Sequence, residues 1–360
     1  MSLHVIGLGV AEQALLSEPA LKALQAASLV IGSERQLDTV RWWLSTQQQV
    51  EVLPKLKYLK TQLHEYVDVK GKCVALLASG DPLFYGIGRW VANTFPDMAN
   101  DTLQFHPAVS SVQVACHKKR WSLQDVSVIS LHGRPALKLK TVLRKNQKFI
   151  VLTDSKSCPR TLAQLCIDSG LEDSEITVYE ALGYPNERTR TFAVKTLAEA
   201  KPALTFDALN ICCIETKDNT TYLPCFPGID DTHFITDKDK GKGMLTKREV
   251  RLNILSLLHA QAGDNIWDIG AGCGGVAVEL SYWAPHANIY AVEHHPERLR
   301  CLTANRERFG VVSNLHIIEH TAPEVLADLP VPTKVFIGGS GGKLESILKH
   351  CWESLPTGGI

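Results

Sequence analysis

Short runs of aliphatic and β-branched residues alternate along this chain with longer stretches whose apolar positions recur every three or four residues. The short runs, at 4–8, 29–31, 74–78, 126–130, 149–153, 176–181 and 209–215, predict strands. The amphipathic stretches at 20–27, 34–44, 85–94, 110–116, 136–145 and 159–169 predict helices between them. Such alternation argues for an α/β architecture of parallel sheets covered by helices.

The pattern stops after Glu215. Residues 217–242 hold Asp218-Asn219-Thr220-Thr221, two prolines, the Asp230-Asp231 pair and a stretch rich in Lys and Asp, which predicts a linker with little core of its own. A second series follows: helix 247–259, strand 265–269, helix 275–283, strand 288–292, helix 296–309, strands 315–318 and 334–337, and helix 343–353. No internal repeat relates the two series, so they read as different folds: residues 1–215, a linker at 216–243, and residues 244–360. The final Leu355-Pro356-Thr357-Gly358-Gly359-Ile360 reads as a turn into a fifth strand. A sheet stopping there would leave strand 334–337 as a bare apolar edge, so the second domain reads as truncated after its fourth strand.

Composition removes several classes of function. Lys+Arg and Asp+Glu both total 38, giving a net charge of zero and no overall attraction to nucleic acid or anionic membrane. Any polyanionic ligand must be met by a local cluster. The ten cysteines include no C-x2-C pair, and Cys212-Cys213 lies in an apolar run, as expected of free thiols in a reducing compartment. No apolar run reaches the ~20 residues of a membrane span, and no signal peptide precedes the first strand. The sequence reads as cytoplasmic.

Two glycine-rich loops of different design then suggest two cofactor sites. The later one, Asp268-Ile269-Gly270-Ala271-Gly272-Cys273-Gly274-Gly275, joins a predicted strand to a predicted helix, and Glu293 ends the next strand. Gly270, Gly272 and Gly275 fit G-x-G-x-x-G, so a dinucleotide such as NAD is one reading. Asp268 and the compact series Gly270, Gly272, Gly274 favour S-adenosylmethionine instead. A tight βα turn with no ligand is the bland alternative. Thr246 with Glu249 fits a capping box, although the same threonine could lie against a bound carboxylate. Gly338 to Gly342 form an open loop that could admit a bulky substrate. His294-His295 has no third ligand beside it and reads as a helix-start surface pair, so no metal is expected.

The earlier loop is Ser79-Gly80-Asp81-Pro82-Leu83-Phe84-Tyr85-Gly86. With Gly7 and Gly9, with His106-Pro107-Ala108-Val109-Ser110-Ser111-Val112-Gln113 and with Ser130-Leu131-His132-Gly133-Arg134-Pro135, it resembles the tetrapyrrole (corrin and porphyrin) methylase family over about residues 3–215. The C-terminal set resembles a Rossmann-like class I methyltransferase that decarboxylates the same kind of macrocycle. The resemblance implies an N-terminal half of two α/β subdomains, about 1–108 and 109–215, with S-adenosylmethionine between them. It implies methylation of a precorrin ring, with or without cobalt, at carbons 5 and 15, with loss of carbon dioxide from the ring-C acetate in cobalamin biosynthesis.

Carried over by position, the first cofactor site would comprise Gly80, Asp81, Ser110 and Ser111. The second would comprise Thr246, Gly270, Ala271, Gly272, Cys273, Gly274, Glu293 and Ala322. His132 and Arg134 are candidates for the ring carboxylates, as are Lys118-Lys119-Arg120 and Lys247-Arg248 with Arg251. Solvated surface charge is the stronger reading of Lys118-Lys119. No nucleophile–base pair stands out, and no catalytic residue is assigned. The resemblance also implies a homo-oligomer, a dimer, with no nucleic-acid or membrane partner. Two rival readings are kept: an active N-terminal carbon-5 methylase with a non-catalytic C-terminal module, and an NAD-dependent oxidoreductase at the Gly270 loop.

Overall fold

A computed structural model describes residues 2–217, 224–238 and 243–360. The first sheet contains β1 (Ser2–Gly7), β2 (Leu29–Gly32), β3 (Gln49–Val52), β4 (Cys73–Ala78) and β5 (Leu103–His106), all parallel, in the order β3-β2-β4-β1-β5. The second contains β6 (Val126–Ser130), β7 (Lys148–Leu152), β8 (Glu175–Glu180), β9 (Arg188–Ala193) and β10 (Asn210–Glu215), in the order β6-β7-β10-β8-β9. The third contains β11 (Asn265–Ile269), β12 (Asn288–Glu293), β13 (Leu315–Glu319) and β14 (Lys334–Ile337), parallel, in the order β13-β12-β11-β14. Among the described residues no helix is long and apolar enough to cross a membrane.

The second sheet corrects the expectation of parallel sheets throughout. Only β6 and β7 run parallel there; β10 is antiparallel to both β7 and β8, and β8 is antiparallel to β9. The connection from Ala181 to Glu187 is a short turn, too short for the helical crossover a parallel neighbour requires. Two other differences are local. The helix expected at 85–94 begins only at Gly88, because Tyr85 has a left-handed φ of 55°. The helix expected at 136–145 is a 3₁₀ turn, Ala136–Thr141.

The expected linker is partly outside the described residues, at 218–223 and 239–242. Its stretch 224–238 is packed into the third unit and is not a free connector. Ile229 and Phe234 are buried in the same core as Ile266, Val276 and Leu302. Helix Gly275–Trp283, apolar on nearly all sides, is buried between this segment, its own sheet and helix Arg248–Leu258. Glu279 of that helix accepts the N–H groups of Gly228 (2.8 Å) and Ile229 (3.1 Å). Arg251, with no exposed surface, donates to Glu279 (2.8 Å), to Asp231 (2.6 Å) and to the Ile229 carbonyl, and its guanidinium lies 4.8 Å from the Phe234 ring centre. Two buried anchors within a polar composition were enough to hide this packing from the sequence.

At the third sheet's edge, β14 is not bare along its length: Val335 N–H donates to the Ile360 carbonyl and Ile360 N–H to Thr333.

Candidate functional sites

In open parallel sheets, ligands sit in the crevice beyond the carboxyl ends of the strands, where the strand order reverses direction. Both parallel sheets here have glycines at that point. In the first, β1 and β4 are neighbours, and the loops leaving them touch: Gly80 N–H donates to the Gly9 carbonyl at 3.2 Å. Gly80 has a φ of 63°, and a Cβ on it would press on the Ser110 Cα at 3.3 Å. Glycine is therefore required twice, by conformation and by close approach. Ser110 caps helix Ser111–Lys119 through a capping box with Gln113, so a helix N-terminus faces the same space.

These loops and the facing ends of β6, β7, β8 and β10 enclose a cleft of about 730 Å³ between the first and second sheets. Gly80, Ser110, Ser111, His132 and Arg134 all line it. Asp81 does not. Its carboxylate accepts Leu83 N–H (2.9 Å), Phe84 N–H (3.1 Å) and Ala108 N–H (3.3 Å), so it shapes two of the loops from behind. The cleft also holds Arg35 and Arg89, which sequence reasoning passed over because each stands in an ordinary helical context. Arg35 spans the two subdomains, donating to Ser79 (3.0 Å) and to the Tyr184 hydroxyl (3.3 Å). Three arginines and a histidine thus line the cleft with no carboxylate among its walls. Tyr85 closes one side, its hydroxyl donating to the Val128 carbonyl of β6 at 3.0 Å.

In the third sheet the order reverses between β11 and β14, and there Gly270 meets Gly339. A Cβ on Gly270, whose φ is 73°, would fall 2.6 Å from the backbone of Gly339. The resulting crevice, of about 320 Å³, is lined by Gly270, Gly272, Glu293, Thr321, Ala322 and Gly338 to Gly341. Glu293 is nearly buried and organises the loop, accepting Gly272 N–H (2.9 Å), His294 N–H (2.8 Å) and His295 N–H (2.9 Å). Burial drives the carboxyl of Asp268, in β11, up to about 7, reinforced by the charge of Glu293. Neither of its oxygens has a hydrogen-bond partner among the described residues.

Four expected residues do not reach this crevice. Thr246 lies before the helix and gives its carbonyl to Arg251. The capping box expected of Thr246 and Glu249 does not form, because Lys247 occupies the N-cap. Ala271 N–H is spent on the Val292 carbonyl. Cys273 is buried, its N–H donating to the Met244 carbonyl and its thiol pushed up to about 12 by burial. Gly274 starts helix Gly275–Trp283, where a Cβ would strike Leu302. The cationic candidates separate in the same way. Lys118 pairs with Glu187, Lys119 with Glu175, and Arg251 is committed to the buried network.

Comparison with known proteins agrees with this two-part geometry. Residues 2–198 match the tetrapyrrole (corrin/porphyrin) methylases, and residues 237–360 match a precorrin methyltransferase domain. A precorrin-6Y C(5,15)-methyltransferase [decarboxylating] of Sinorhizobium sp is 35% identical over 99% of this chain and 83% of its own length. The chain belongs to the precorrin-6Y C(5,15)-methyltransferase family. A second relative of that name, from Mycobacterium tuberculosis strain H37Rv, is 32% identical over 99% of this chain and 85% of its own. A solved structure of a precorrin-6Y C5,15-methyltransferase from Geobacter metallireducens GS-15 is 42% identical over 37% of this chain and 68% of that one, with a TM-score of 0.35. In this member of the precorrin-6Y C(5,15)-methyltransferase family, the two matched stretches contain most of the residues that line the first cleft and all those that line the second crevice.

Proposed function

We propose that this chain methylates a precorrin ring twice with S-adenosylmethionine, at carbon 5 in the first cleft and at carbon 15 in the Gly270 crevice, where the ring-C acetate is also lost as carbon dioxide. The observation that carries the reading is the pair of glycine-built crevices, one per parallel sheet, the larger lined by Arg35, Arg89 and Arg134 without an opposing carboxylate. A precorrin is a polycarboxylate, and arginine's planar fork suits bidentate carboxylate contacts.

The residues present fit the cofactor. Cβ-free backbone at Gly80 and at Gly270 with Gly272 leaves space against the strand ends, and Glu293 places a nearly buried carboxylate beside the second glycine loop, suited to ribose hydroxyls. Gly80, Ser110 and Ser111 would hold the first molecule; Gly270, Gly272, Glu293 and Ala322 the second. When bound, S-adenosylmethionine supplies an electrophilic methyl group on a sulfonium.

The chain's own work is then alignment and exclusion of water. Arg35, Arg89 and Arg134 hold the ring carboxylates, and Leu83-Phe84-Tyr85 form an apolar wall over the cleft. Orientation of this kind can lower a barrier by ~7–11 kcal/mol in well-aligned cases, so no nucleophile–base pair is needed. Mass spectrometry of a reaction with the preceding ring intermediate tests the proposal. Two added methyl groups and one lost carboxyl support it; a product with one methyl group and all carboxyls kept would mean that only the first cleft works.

A further inference from the structure

We infer that the C-terminal half buttresses the first cleft, with Gly310 and Tyr282 as positioning residues for the arm that carries His132 and Arg134. The inference rests on the proposed use of that cleft for a polycarboxylate ring.

The arm is one continuous segment, from Ser130 to Arg144. At one end Ser130, His132 and Arg134 line the first cleft. The turn there is pinned from within the N-terminal half: Gly133 N–H donates to Asp154 (2.9 Å), Arg134 N–H to the Leu131 carbonyl (2.9 Å) and the Arg134 guanidinium to the Ser130 carbonyl (3.1 Å). The 3₁₀ turn Ala136–Thr141 follows directly. Leu139 and Leu143 bury one side of it in the core of the second sheet.

Its other side meets the C-terminal half. A Cβ on Gly310 would lie 2.4 Å from the Leu137 carbonyl oxygen and 2.8 Å from the Lys140 Cβ. The backbones of the two halves therefore meet with no room for a side chain. At the end of the arm the Arg144 guanidinium donates to the Tyr282 hydroxyl at 3.1 Å and lies 5.7 Å from that ring's centre. Arg144 is also tied to the end of β10, its carbonyl accepting the Thr216 hydroxyl at 2.6 Å. A short, doubly clamped 3₁₀ turn offers little slack between these contacts and Arg134. Movement of the C-terminal half is thus passed to the ring-holding side of the first cleft.

Gly310 has a φ of 71° in the turn ending helix Pro296–Arg308, which alone favours glycine. The test must separate that conformational role from the contact. Gly310→Asn keeps a residue that tolerates the left-handed region but introduces the clash; Tyr282→Phe leaves the backbone alone and removes one hydroxyl. In the full chain, Gly310→Asn is expected to raise KM for the ring in the first methylation roughly tenfold, the scale of a small misplacement of a positioning group, with kcat within about twofold. Amide exchange at 137–143 should quicken, and cofactor affinity in the Gly270 crevice should stay unchanged. Tyr282→Phe should move KM and exchange in the same direction by about two- to threefold. Unchanged KM and unchanged exchange in both variants would overturn the inference, and if Gly310→Asn does not fold, the same result in Tyr282→Phe alone would do so. A wild-type chain that methylates no ring would instead count against the proposed function, and the exchange measurement would still decide the buttress.

Discussion

Replacing Arg251 by methionine isolates the interaction that ties the connecting segment to the C-terminal half. Arg251 and Glu279 are both fully buried, and the arginine is the only cation paired with Glu279 among the described residues. Methionine fills similar space but leaves the Glu279 carboxylate with only the Gly228 and Ile229 N–H groups. Removing one member of a buried ion pair typically costs ~3–5 kcal/mol. At ~2–4 °C per kcal/mol, the C-terminal unfolding transition should fall by roughly 6–20 °C. Adding Glu279→Gln should recover part of the loss, because it removes the buried charge while its amide oxygen still accepts one of those two N–H groups. Calorimetry on the full chain, with amide exchange read at 228–235, provides the assay. A loss below about 1 kcal/mol, or an equal loss in the N-terminal transition, would refute the reasoning.

Three further perturbations address the sites. In the folded chain Asp268 titrates near 7 against an ordinary 3.8, so its contribution to stability is complete below 3.8 and is lost as pH rises through 7. The C-terminal Tm of Asp268→Asn, which cannot ionise, should therefore gain on that of the wild type as pH rises from 5 to 8; a constant difference would contradict this. Glu293→Ala strips an acceptor from three backbone N–H groups and should weaken cofactor binding in the Gly270 crevice alone by roughly 5–150-fold; equal weakening in both crevices would count against two separate sites. Arg134→Gln should raise KM for the ring about tenfold or more, as expected on losing a charge-assisted contact, with cofactor affinity in the first cleft held; an unchanged KM would remove Arg134 from the ring contacts.

Much of this molecule was legible from its residues, and the exceptions have physical causes. Buried strands such as β2 and β4 are dense in aliphatic residues and stood out. Edge strands β3 and β9 are largely exposed and read as polar, so hydrophobic pattern missed them. The antiparallel second sheet depended on loop length, which local periodicity does not report. At the sites, glycines with positive φ marked where backbone must come close. They could not distinguish Gly272, on the crevice wall, from Gly274, which faces Leu302. Asp81 and Arg251 were chosen for their chemistry, yet both are used for packing and loop shape. Arg35 and Arg89 were invisible because only the folded chain brings them to the cleft beside Arg134.

The most direct test of the account is calorimetric titration of the full chain with S-adenosylmethionine. It predicts two molecules bound per chain, with only the Gly270-crevice site weakened in Glu293→Ala. A stoichiometry of one or none in the wild type, or a dinucleotide that occupies the Gly270 crevice in its place, would contradict it.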